Sequence, residues 1–268
     1  MTLLQCHIEG VGAIGPGFAS PEEFRRLIET GRADPSALTP VPPPACLPAA
    51  ERRRAGTPIK LALAAGLQAL EASSRDPRSL STVFASSGGD GDNCHNICEA
   101  LASDDRQISP TRFHNSVHNA PSGYWGIALG ATATSTSLCA FDASFGAGLL
   151  ESMVQLVHDR QPCLLIAYDV PYPYPLNRVR EIGGAMGLAL ALALAPEPTA
   201  RSLARLTLNL GEGRCSELPE AGLEAMRRSI PAGRGLPLLR ALVLSEPCRL
   251  VIDYLDPLRL ELELVPCR

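Results

Sequence analysis

Cys94 and Cys98 are separated by three residues. After fifteen more come His114 and His118, again separated by three. This is close to the spacing of a zinc finger, in which four thiolate and imidazole ligands close one tetrahedron. The surrounding residues argue against convergence. Residues 92–103 read as a helix that carries both cysteines, and "RFHNSVHNAPSG" reads as a loop that carries both histidines. A zinc-binding protein is the alternative that the spacing itself suggests.

A second candidate is Cys139, in "STSLCAFDASFGAG". It follows a short β-branched stretch and precedes a long helical one. A helix N-terminus favours a thiolate, so this is a location suited to a nucleophile. A nucleophilic cysteine also needs a base. His114 and His118 are the candidates, and all five histidines fall at or before His158. Asp142 works against the idea, because a carboxylate near a thiol opposes its ionisation. A Cys139-dependent acyltransferase or thioesterase is therefore an alternative enzyme reading.

The elements that position these residues alternate between strand and helix. Residues 2–9 read as a strand entering a glycine turn at "GVGAIG". The glycines match a dinucleotide fingerprint in form, but no helix opens on them. The helix signal comes at "SPEEF": Ser20 as N-cap, Pro21 at the first position, Glu23 closing a capping box. Six prolines in residues 35–48 mark an irregular loop. "ERRR" at 51–54 reads as a solvated charge run or a dock for an acidic partner. Thr57 and Pro58 open a helix that is apolar nearly all round and hence buried. Strands are expected at 81–87, 132–138, 163–169, 185–195, 204–210 and in the two final apolar alternations. Helices are expected at 122–130, 145–159, 217–229 and 236–244, and Asp104 to Pro121 is expected to be mainly loop.

Composition bounds the function. The chain has 268 residues, 46% hydrophobic and 4% aromatic, so leucine and alanine must build the core. A net charge of −4 offers no basic face for nucleic acid. The longest apolar run, residues 185–195, is too short to span a bilayer. A soluble, cytoplasmic protein with reduced cysteines is expected, and no cofactor is called for.

The order of elements resembles the N-terminal half of β-ketoacyl synthases of the thiolase fold. "IEGVGAIGPGFASPEEFRRLIETGRA" is similar to their opening strand, turn and first helix. "IKLALAAGLQALEA" is similar to their buried helix. The run from "ISPTRFHNSVHNAPSGYWGIALG" through "STSLCAFDASFGAGLLESMVQLVHD" to "CLLIAYD" resembles their nucleophile segment. In it Asn119, Gly123 and Gly130 take familiar positions, and Cys139 falls on the acyl-accepting cysteine. "IGGAMGLALALALA" is similar to the strand that follows. The resemblance covers roughly residues 3–195.

It implies an α/β, layered thiolase-like half-fold in single copy, with a mixed five-stranded sheet between helices. One domain spans 1–268, in which 196–268 completes or covers the sheet. Two departures imply loss of catalysis. Bulky Phe141 and acidic Asp142 follow Cys139, and the two histidines that the family takes from its second half have no counterpart. "SVHNAPSGYW" and "GLLES" are similar to short chain-length-factor subunits of aryl polyene and xanthomonadin-type pathways. The resemblance thus implies a non-catalytic partner of a full-length β-ketoacyl synthase, with acyl carrier protein as a further partner and Cys139 as a degenerate nucleophile. It places the partner interface at Phe113, Ser116, Val117, His118, Asn119, Thr134, Thr136 and Leu138. It places the acyl tunnel end at Ile97, Ala100 and Leu101.

Overall fold

The computed structural model describes residues 4–194 and 198–267. The first elements are β1 (Leu4–Ile14), α1 (Pro21–Thr30), α2 (Ala49–Arg54), α3 (Thr57–Ser73), β2 (Ser81–Ala85) and α4 (Gly91–Ala102). There follow α5 (Pro110–His114), α6 (Ala120–Leu129), β3 (Ser135–Leu138), α7 (Ser144–Asp159), β4 (Cys163–Asp169) and β5 (Met186–Ala193). The chain closes with β6 (Ala204–Gly211), α8 (Ala221–Ser229), α9 (Leu236–Leu244), β7 (Cys248–Asp253) and β8 (Arg259–Pro266). The expected strand ends at residues 2, 3 and 195 lie outside the described residues.

Local signals act as their chemistry requires. Ser20 Oγ accepts from the Glu23 amide at 3.2 Å, and Glu23 reaches back to the Ala19 amide at 2.8 Å. The expected turn at "GVGAIG" is instead strand. Gly10 and Gly12 lie inside β1, where a Cβ would overlap the Ala69 and Ala65 carbonyls of α3. These glycines serve close packing of helix on strand rather than a turn. The segment from Asp104 to Pro121, expected to be mainly loop, contains the single-turn helix α5.

The eight strands form one sheet in the order β3-β2-β4-β5-β1-β6-β8-β7. β2 runs parallel to β3 and β4, and the other pairings are antiparallel. The layered α/β half-fold is therefore present, but five strands was an undercount. β6 pairs with the edge of β1 that β5 leaves free, and β8 and β7 continue outward.

The period-2 pattern of β5 explains its two faces. Leu188, Leu190 and Leu192 join the core beneath α7, while Ala189 and Ala191 face α3. Small residues on one side let α3 settle close, and leucines on the other fill the wider space under α7. Eleven residues of α3 are buried, as its composition requires. Leu47, from the proline-rich loop, is 1% exposed and packs in the same cluster as α3, with Tyr124 and Trp125 of α6.

Candidate functional site

The candidate site is assembled where β2 and β3 end. β3 is an edge strand, bonded only to β2. The Thr134 and Leu138 carbonyls accept from β2-side amides of Thr82 and Ser86. Along a strand the bonding direction alternates, so Ser135 and Ser137 turn their backbone groups to the open side. Thr134 is exposed, Leu138 is half-buried, and Thr136 accepts from Gln155 of α7 at 2.8 Å.

Cys139 follows β3 and is exposed. Its thiol donates to the Ser87 carbonyl at 3.2 Å. Among the described residues neither His114 nor His118 hydrogen-bonds to it. His114 sits edge-on to Tyr124, with ring centroids 6.3 Å apart. His118 Nε2 lies 3.1 Å from the Ser86 carbonyl, which requires the proton on that nitrogen. The two consecutive carbonyls of the loop after β2 thus hold Cys139 and His118 separately.

The helix expected at 145–159 spans Ser144–Asp159, so Cys139 precedes it without lying on its first turn. A 3-10 turn, Phe141–Ala143, intervenes before α7. Phe141 has φ +53°, a strained value for a bulky side chain. The Arg180 guanidinium stacks 3.7 Å from the Phe141 ring centre and donates to Asp142 at 2.6 Å. The charge of Asp142 is thus directed to an arginine. Arg180 also donates to the Tyr172 hydroxyl at 3.4 Å. The Tyr172 ring fills the "GGDGDN" loop, where a Cβ on Gly88 or Gly91 would collide with it.

The segment Phe113–Asn119 is held from three sides. Asn93 donates to the Arg112 carbonyl and Asn115 to the Arg54 carbonyl, both at 2.8 Å; His118 meets Ser86. Tyr124 donates to Asn115 at 3.1 Å. Yet Phe113 is 68% and Val117 53% exposed, and Ser116 and Asn119 also face outward. A fixed backbone therefore presents apolar side chains to solvent. On α4, Ile97, Ala100 and Leu101 share a stripe at helical spacing, and only Gly91 and Asn93 of that helix are buried. Leu101 is 49% exposed, so this chain alone encloses no tunnel around the stripe.

The zinc quartet is not brought together. Cys94 and Cys98 are exposed on α4, while the histidines meet Tyr124 and Ser86. Among the described residues no group of three or more Cys, His, Asp or Glu is placed to hold a metal.

Sequence reasoning missed Asp169, at the end of β4. It is 2% exposed. It accepts from the Ser87 amide (2.8 Å) and hydroxyl (2.7 Å), from Ser86 Oγ (3.3 Å) and from the Ala232 amide (2.8 Å). Burial raises its pKa to about 6, against the opposing pull of those bonds. Arg180 and Arg234 were missed as well. No local pattern marks them, because their partners lie 19 to 92 residues away in the chain.

An open polar cleft of about 450 Å³ is lined by residues that include Arg53, Arg54 and Arg112 together with Asp90 and Asp92. No helix among the described residues is long and apolar enough to cross a membrane.

Solved structures share this arrangement. A ketosynthase in complex with its chain length factor, from Xenorhabdus doucetiae, includes a chain matched at TM-score 0.74 and 23% identity. The match covers 97% of this chain and 99% of that one. The ishigamide ketosynthase/chain length factor matches at 0.74 and 13% identity, covering 98% and 99%. A type II polyketide synthase acyl-carrier protein in complex with its ketosynthase bound to the hexaketide matches at 0.77 and 12% identity, also covering 98% and 99%. At these identities the likeness is one of fold. No curated protein matches the sequence. Residues 30–229 match the beta-ketoacyl synthase N-terminal domain, and by that match, in a thiolase-like fold, the chain belongs to the β-ketoacyl synthase family.

Proposed function

We propose that this chain is a non-catalytic, chain-length-factor-like partner of a full-length β-ketoacyl-ACP synthase in cytoplasmic aryl polyene or related pigment biosynthesis. It stabilises the synthase and shapes its acyl tunnel. The observation that carries the reading is the unpaired edge of β3, flanked by a fixed segment whose Phe113 and Val117 are exposed. An open edge with an apolar rim is an association surface. Phe113, Ser116, Val117, His118, Asn119, Thr134, Thr136 and Leu138 make up that surface. The stripe of Ile97, Ala100 and Leu101 lines the tunnel once the partner covers it. The fold is shared with chains of ketosynthase and chain length factor complexes. Residues 1–268 act as one N-terminal-type unit, in which 196–268 completes the sheet.

Catalysis is absent from the reading because among the described residues no imidazole hydrogen-bonds to Cys139 and the thiol is engaged by a carbonyl. The arginines of α2, beside Arg112, are the proposed contact for an acidic acyl carrier protein. The test is co-expression with a full-length ketosynthase, followed by native mass spectrometry and product analysis. A stoichiometric complex whose product length changes when this chain is altered supports the role. Separate migration with unchanged products removes it.

A rival reading, acyl transfer through Cys139, has the exposure of the thiol in its favour. Activity on an acyl thioester that disappears in Cys139→Ser would establish it.

A further inference from the structure

A short turn, Pro231–Gly235, brings part of the C-terminal third of the chain to the candidate site. Three polar contacts leave it among the described residues. The Ala232 amide donates to Asp169, which also holds Ser86 and Ser87. Arg234, 15% exposed, lies 4.0 Å from Asp142 and 3.8 Å from Asp253 of β7. The carbonyls of Ser86 and Ser87 in turn carry His118 and Cys139. An unbroken chain of contacts therefore joins the added strands to the turn after β3. Pro231, Ala232, Gly233 and Gly235 are all buried, so the turn is wedged in place.

We propose that the Pro231–Gly235 turn is a clasp through which the C-terminal segment fixes the Cys139 turn and the Ser86–Ser87 loop, with Asp169 and Arg234 as its positioning residues. The test reads whether a disturbance of the clasp is felt at the far end. The inference stands apart from the partner reading, and its test uses the full chain alone.

The nine free cysteines supply the probe. Peptide-resolved alkylation with iodoacetamide compares Cys139 with Cys94 and Cys98, which are exposed on α4. Cys6 and Cys163, 1% and 0% exposed, report general unfolding. In Asp169→Asn the amide offers one acceptor oxygen where the carboxylate offers two. Cys139 should then react about five- to tenfold faster, while the ratio of Cys94 to Cys98 and the protection of Cys6 and Cys163 hold. Arg234→Gln should give about a two- to threefold increase. It also decides the matter if Asp169→Asn does not fold. Wild-type reactivity of Cys139 in a variant whose buried cysteines stay protected overturns the clasp. So does acceleration only in step with Cys6 and Cys163.

Discussion

The sheet has two ends, and they are treated differently. At the β7 end, the segment before α8 folds across the strand. The Ser216 amide donates to the Val251 carbonyl at 2.8 Å, and the Val251 amide donates to Ser216 Oγ at 3.0 Å. Arg249 and Asp253 add charge along the same strand. This blocks further pairing, in the manner that sheet proteins use against association. At the β3 end no such cover is present among the described residues, and Phe113 and Val117 stand exposed in the segment that His118 holds to the loop after β2. One edge is closed by the chain itself, and the other is left for something else to complete.

The largest effect is expected at the exposed segment beside the open edge. Phe113→Asp with Val117→Asp should leave the monomer's melting temperature unchanged, because both side chains face solvent. Titration with the ketosynthase should show affinity reduced by about three orders of magnitude, as for the loss of two central apolar anchors. Undiminished binding would move the interface elsewhere.

Asp169 tests whether the two ends are energetically connected, since it ties the loop beside the open edge to the C-terminal region that carries the closed one. Its folded pKa, about 6, is raised above the ordinary value of 3.8 by burial. The proton is therefore held more tightly in the folded state. The resulting stability is present in full below pH 3.8 and is lost as pH rises through about 6. Denaturant unfolding should register a decline on the order of 3 kcal/mol across that window. In Asp169→Asn that component of the slope should vanish; an unchanged profile would assign it to other groups.

A smaller effect should separate edge pairing from rim packing. Ser137→Pro removes an outward N–H from β3 while keeping the bonds that Thr134 and Leu138 make to β2. Partner affinity should fall about tenfold, and isothermal calorimetry can read it. Equal affinity would mean that the partner meets side chains only. The smallest change concerns the closed edge. Ser216→Ala removes the acceptor for the Val251 amide and should cost about 1 kcal/mol in chemical unfolding. Light scattering should show more self-association with ketosynthase binding intact. Loss of that binding would place the partner at β7 instead.

Much of the secondary structure is legible along the chain. The strand Cys163–Asp169 and the helix Leu236–Leu244 have the bounds that their patterns imply. The reason is local: apolar period, proline and caps act within a few residues. The glycine run at Gly10 and Gly12 was misleading for the same reason. Its purpose is contact with α3, more than fifty residues further on, and nothing within the run reveals it. The spacing of Cys94, Cys98, His114 and His118 was equally unable to report that the side chains diverge.

By itself, the sequence determined the alternation of elements, a leucine and alanine core, the position of Cys139 between a strand and a helix, and the absence of any histidine after His158. These follow from residue type and near-neighbour spacing. Only the tertiary structure decided that β6, β8 and β7 extend the sheet on one side while β3 stays open on the other. It alone brought Arg180 to Asp142, Ala232 to Asp169 and the Ser87 carbonyl to Cys139. Such contacts depend on where long loops return the chain, and that is settled by packing of the whole core rather than by any one segment.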